Sequence, residues 1–238
     1  MAESTAVMTV EEQLKQRLAL QTQTLQKMAG GHTNISFKGG NIIVDDQVIP
    51  GGELDVIILG VVNERTFYDG PYDPNSPQTP ACYSFNLQLP HPEAEQPQHE
   101  NCRGCPQDEW GTGAQGRGKA CREAARIALT SATADLEQAT IYTAKVPISS
   151  IGTVRELVGK AGAAGKLLGQ FVVKLIVKPD AKTFFKVTLM PIGENKADMN
   201  LILQRMDEAE NLLNKPYPVF TEEAAPEVPK DKSGKAKY

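Results

Sequence analysis

"NISFKGGNIIVDDQVIPGGELDVIILGVVNERTFY", residues 34–68, reads as a run of short strands and so decides the fold class. Its β-rich stretches are separated by Gly39-Gly40, Asp45-Asp46 and Pro50-Gly51-Gly52, all turn signals. Val56 to Val62 is nearly continuous in apolar residues, the pattern of a strand buried on both faces. Downstream, "DGPYDPNSPQTPACY" (residues 69–83) holds four prolines and is expected to be an irregular loop.

A second strand pair lies in "QFVVKLIVKPDAKTFFKVTLMPI", residues 170–192, around a Pro-Asp-Ala-Lys turn. Alternate strand residues share a face. Phe171, Val173, Leu175 and Val177, with Phe185, Val187 and Leu189 on the return, form a core face. The opposite face presents Lys174, Lys178 and Lys186 with Phe184 and Ile176. From Lys166 to Met190 five lysines stand against one acidic residue, a local balance of +4 within a chain of net charge -4.

Helical spacing marks two further segments. "SSIGTVRELVGKAG" (residues 149–162) carries Ile151, Val154, Leu157 and Val158 behind a serine cap. "DMNLILQRMDEAENLLNK" (residues 198–215) aligns Met199, Ile202, Leu203, Met206, Leu212 and Leu213 on one stripe. "GKACREAARIAL" (residues 118–129) also reads as a helix. Residues 1–31 form a helical appendage with a thin stripe of Leu14, Leu18 and Leu25, closed by Gly30-Gly31. The organisation is then an appendage (1–31), a core (32–214) and a polar tail expected to be disordered (215–238).

At 238 residues the chain can bury a substantial core, and its composition, 40% hydrophobic and 23% charged, is that of an ordinary globular protein. No apolar run is long enough to span a bilayer, and "MAESTAVMTVEEQLKQ" lacks the pattern of a secretory signal. A cytoplasmic location without membrane association is therefore expected. Three histidines outside any recognisable motif, and acidic residues without metal-binding spacing, point to no catalytic apparatus. A non-enzymatic role is expected.

The chemistry concentrates in residues 82–121. Cys82, Cys102, Cys105 and Cys121 follow the order C-x19-C-x2-C-x15-C. Cys-x2-Cys lets two sulfurs chelate one ion, and a four-cysteine zinc site would staple an insert that otherwise lacks regular structure. An iron–sulfur cluster and free or redox cysteines are the alternatives. His91 and His99 are expected to be bystanders, and the number of thiolates favours a structural over a catalytic ion. If 118–129 is helical, Cys121 lies near a helix N-terminus that would favour its thiolate.

Within the insert, Gly113 to Lys119 matches the glycine spacing of a phosphate loop. No strand leads into it, and Ala120 stands where a magnesium-binding Ser or Thr is needed. The run Ile42–Val44 ends in Asp45 but precedes the loop. No nucleoside triphosphate is expected as a ligand. Arg117, Lys119 and Arg122 instead make this a cationic turn suited to a nucleic-acid backbone, unless it serves only to close a metal loop. Tyr68, Tyr72, Tyr83 and Trp110 are candidate stacking residues, and lysines beside an exposed ring on the hairpin suit single-stranded nucleic acid. A solvated lysine face is the plainer alternative there.

These parts together resemble single-stranded DNA-binding proteins of tailed phages. They are the short strands, the Cys-x2-Cys-Pro…Trp-Gly…Gly-x-Gly-Lys-x-Cys insert, the lysine-bearing hairpin and the following amphipathic helix, spanning residues 33–213. The resemblance implies an α+β, mainly β fold: an OB-like β-barrel carrying an inserted four-cysteine zinc loop and a few amphipathic helices. It implies zinc ligation by Cys82, Cys102, Cys105 and Cys121, and DNA contact near Trp110, Arg117, Lys119 and the hairpin face. It further implies binding with little sequence preference in phage DNA replication or recombination, alongside replication or recombination proteins. One departure is the tail: many such proteins end in a strongly acidic segment, whereas residues 215–238 hold four acidic residues and five lysines. The competing expectations are a zinc-stapled virion or protein-interaction component and a zinc-ribbon transcription accessory factor.

Overall fold

The computed structural model describes residues 34–70 and 78–218. The appendage at 1–31, Tyr72 and the tail beyond Pro218 lie outside the described residues. The fold is α+β and mainly β, a curled half-barrel sheet with two α-helices.

The strands are β1 (Asn34–Ser36), β2 (Ile43–Val44), β3 (Gln47–Val48), β4 (Glu53–Phe67), β5 (Cys82–Ser84), β6 (Arg122–Ser131), β7 (Tyr142–Pro147), β8 (Phe171–Asp180) and β9 (Phe184–Glu194). They form one sheet in the order β3-β2-β1-β7-β6-β4-β8-β9, with β5 added to β4. All pairings are antiparallel except β1 with β7, which is parallel. The helices are α1 (Ile151–Ala163) and α2 (Met199–Leu213).

Strand β4 organises the sheet. Its first residues pair with β8 (Val56 opposite Val173) and its last with β5 (Phe67 opposite Cys82), while β6 runs along most of its length. Both faces are covered, which is why Val56–Val62 is apolar almost throughout. Val56 and Ile58 enter a large core with Ala125, Ile127, Val146, Val173, Leu175, Val187 and Leu189, closed by Ile151, Val154 and Leu157 of α1. Ile57 and Leu59 enter a smaller core with Ala128 and with Ile202, Ala209 and Leu213 of α2. A bulge between Ile58 and Gly60 inserts one residue and inverts the alternation. Beyond it Val61 packs with the large core and Val62 with the small one.

Segment 118–129 contains no helix: from Arg122 it is the strand β6, against what its composition predicts. Alanine, arginine and glutamate favour helix in isolation, but the segment is sandwiched between β4 and β7, and that pairing overrides propensity. Ser150 precedes α1 as expected, but its hydroxyl accepts the Val187 N–H at 3.0 Å and caps nothing. Asp198 caps α2 by accepting from the Asn200 and Leu201 N–H groups. At the open edge of the curl, the turn Pro50–Gly52 lies so close to β8 that a Cβ on Gly52, at φ +63°, would sit 2.7 Å from the Val177 carbonyl oxygen. Only glycine suits that position.

Helix α2 seats on the sheet where Gly60 leaves room for it: a Cβ there would lie 2.9 Å from Leu213 Cδ1. Gly60→Val is expected to destabilise the protein by about 1–3 kcal/mol through overpacking. Thermal unfolding checks this, and an unchanged midpoint would show that α2 does not depend on this close approach.

Candidate metal centre and nucleic-acid interface

The cysteine insert is folded by backbone hydrogen bonds and one arginine. Cys82 is set by its pairing with Phe67 at the end of β4. The Cys102 N–H donates to the Gln88 carbonyl at 2.7 Å, and the Cys121 N–H to the Gln107 carbonyl at 2.8 Å. After Cys105 the chain makes a 3-10 turn, Pro106–Asp108. Arg65, projecting from β4, ties these pieces together. Its Nη1 donates to the Cys102 carbonyl at 3.0 Å and stands 3.1 Å from Asp108 Oδ2, while its Nη2 lies 3.4 Å from Glu123 Oε2. Lys119 completes the network at 2.9 Å from Asp108 Oδ1.

All four cysteines are free thiols and line one cavity of about 20 Å³, alongside Arg65, Asp108 and His99. No three His, Cys, Asp or Glu side chains among the described residues stand in a metal-holding arrangement. The thiols nevertheless feel one another. Burial pushes the Cys121 thiol up to about 12, an effect that Arg65 opposes and that Asp108, Cys105 and Cys82 reinforce. Burial also raises Cys82, with Cys102 and Cys105 adding to it and a backbone hydrogen bond from Gln98 opposing it. Because β6 is a strand, no helix N-terminus stabilises a Cys121 thiolate.

The turn between the inner and outer cysteines consumes its own donors. The Gly111 and Gly113 N–H groups both reach the Gly118 carbonyl, Gly116 reaches Gly113, Arg117 reaches Ala114, and Ala120 donates to Thr112 Oγ1 at 3.0 Å. These five amides are therefore not presented as an anion cradle. Arg117 and Arg122 are exposed, whereas Lys119 is held by Asp108. Trp110 stands at 82% exposure on the same insert.

The hairpin β8–β9 presents the two faces anticipated from its alternation. Val173, Leu175, Val177, Val187 and Leu189 are buried. On the outer face Lys178 sits directly opposite Lys186, and Asp180 opposite Phe184. Phe184 is 90% exposed with φ +67°, a left-handed conformation uncommon for an aromatic residue. Lys186 lies 3.8 Å from Asp180. Lys174 is neutralised by its neighbours, at 2.9 Å from Asp55 and 3.6 Å from Glu53, and the Asp55 hydrogen bond raises its pKa.

A further cluster carried no signal in the sequence. Lys215–Pro218 return across the α2 side of the sheet, and Thr79 Oγ1 donates to the Pro218 carbonyl. The Tyr217 ring packs on Tyr83 (centroids 4.9 Å) and Phe85 (6.2 Å), flanked by Lys145 at 4.8 Å and Arg126 at 5.8 Å. Its hydroxyl donates to Glu64, which is fully buried and 2.9 Å from Lys145 Nζ. Tyr83 is buried and stacked on His91, so it is not a free stacking platform. Tyr68 is half-buried, its pKa raised by burial and by Glu64 and lowered by Arg122.

No family model, curated protein or solved structure matches the chain.

Arg65 holds the insert to the sheet, so Arg65→Ala is expected to cost about 1–3 kcal/mol by leaving partly buried acceptors unpaired. Chemical denaturation measures the loss. Limited proteolysis should show cleavage within residues 86–120 first, and an equally resistant insert would contradict the anchoring role.

Proposed function

We propose that the chain is a non-enzymatic single-stranded DNA-binding protein with little sequence preference, built on an OB-like barrel and acting in phage DNA replication or recombination. The observation that carries this reading is the tip of the β8–β9 hairpin. Like charges directly opposite one another on a sheet destabilise it, yet Lys178 faces Lys186 beside an aromatic ring standing in solvent, with Asp180 at 3.8 Å from Lys186 offsetting part of the repulsion. A phosphate between the lysines relieves their repulsion, and a base stacks on Phe184. Trp110 and Arg117, both exposed on the insert, offer a further ring and cation, and Arg122, exposed at the start of β6, a further cation. Lys119 and Lys174 are assigned lesser parts, because carboxylates already engage them.

Zinc belongs to the same reading. Four thiols of uniform type facing one small cavity suit a tetrahedral sulfur site better than any arrangement using His91 or His99. Cys82, Cys102, Cys105 and Cys121 would hold the ion, whose contribution is structural: it displaces thiol protons and links the insert to β5 and β6. A zinc-stapled protein-interaction module is the second reading, favoured by the same exposed Trp110 and Phe184, since exposed rings also mark protein interfaces.

Fluorescence titration with oligo-dT at low salt is expected to show binding that weakens steeply as salt rises, with weaker binding to duplex. Phe184→Ala should reduce affinity on the order of tenfold, the scale of one lost stacking contact. Absence of binding at low salt would refute the DNA reading and leave the interaction module.

Metal analysis of the purified chain is expected to find one zinc per chain. Its removal by a chelator should lower the thermal midpoint and expose the insert to protease, with α1 and the hairpin retained. A metal-free chain with the same midpoint would eliminate the zinc assignment.

A further inference from the structure

Glu64 is the least expected residue on the α2 side of the sheet. It is a carboxylate with no solvent exposure; its Oε1 takes Lys145 and the Tyr217 hydroxyl, and its Oε2 has no hydrogen-bond partner. The hydroxyl of Tyr83, whose ring packs on Tyr217, is also buried and without a partner. Buried polar atoms without partners are rare and call for an explanation. Glu64 closes the slot that Tyr217 fills, which is walled by the rings of Tyr83 and Phe85 and flanked by Arg126 and Lys145.

What fills the slot is a planar ring with a donor on its edge, the phenol of Tyr217. A nucleobase has the same outline. Packed against Phe85 where the phenol now lies, a base would bring its edge to Glu64. The nearest cations are Lys145, which already pairs with Glu64, and Arg126, which donates to the Leu213 carbonyl. An ionised carboxylate only accepts hydrogen bonds. Cytosine offers an exocyclic amine there, whereas thymine presents a carbonyl oxygen that the carboxylate repels. Tyr217 is also easily displaced. It follows the last residue of α2 by four positions, and the segment Lys215–Pro218 is held by few bonds besides those of the ring itself.

We propose that the Tyr217 slot is a base-binding subsite that selects cytosine over thymine through Glu64, and that Tyr217 occupies it until a DNA strand takes its place. This rests on the single-stranded DNA reading and adds to it a second contact surface, on the opposite side of β4 from Arg65 and the cysteine insert.

The test compares the full-length wild type with Tyr217→Ala by fluorescence anisotropy on labelled oligo-dC and oligo-dT of equal length. Tyr217 lies beyond α2, so its removal leaves both cores intact. Tyr217→Ala is expected to bind oligo-dC about tenfold more tightly than wild type, the scale of one good side-chain contact to a base edge, with a smaller gain for oligo-dT. Adding Glu64→Gln, with folding checked by circular dichroism, should erase the preference and leave oligo-dT binding in place. Unchanged affinities in Tyr217→Ala, or equal gains for both oligonucleotides, would overturn the subsite while leaving the DNA reading standing. Absence of binding to either oligonucleotide by either protein would overturn both.

Discussion

Everything described depends on β4 carrying two cores and a parity switch in one uninterrupted strand. Before the bulge, even-numbered residues face α1; after it, odd-numbered ones do. Without the extra residue, Glu64 would turn to the side of the sheet that carries the cysteine insert, and Arg65 would turn away from it. One inserted residue thus decides which face each charge of the strand's second half takes, Glu64 toward Lys145 and Arg65 toward the insert. The same bulge brings Gly60 under α2, and so sets how closely that helix can approach.

The insert shows how a polar, glycine-rich segment acquires a defined path. Its order comes from backbone donors used locally and from side chains that substitute for secondary structure. Asn86 accepts from the Gln88 and Leu89 N–H groups, and Thr112 bridges the two sides of the glycine turn. Arg65 supplies the long-range tie, reaching partners 37 and 58 residues away. A ligand at the four thiols would add to that framework; the surrounding hydrogen bonds already bring the thiols to one cavity.

Legibility in the sequence followed the reach of the interactions. The hairpin faces are readable because Lys174 and Lys178 fall between Val173, Leu175 and Val177 at period two, and Lys186 flanks Val187 on the return. Strand β4 was readable because no loop or amphipathic helix is so continuously apolar. The cysteine spacing singled out the residues that share the cavity. Strand β6 was misread because Arg122–Leu129 is rich in helix formers, and only its neighbours in the sheet decide otherwise. Arg65 carries no local signal in the sequence, because Asp108 and Glu123 are brought to it only by the fold. Tyr217, following Pro216 in a polar segment, has no periodicity at all, so its slot could emerge only from the fold.

The single parallel pairing has a consequence for how the chain reaches this state. Asn34 on β1 meets Thr143 on β7 at a sequence separation of 109, whereas β8 and β9 meet across one tight turn. Closing the longer loop costs more entropy, and that cost falls due before its few contacts are made. The hairpin is therefore the natural starting point for assembly, and the first strand of the fold is the one placed to join last. A nascent chain can pair β1, β2 and β3 with one another, but the β7-facing edge of β1 stays open until β7 has been synthesised, and the short lengths of these strands limit that exposed edge in the meantime.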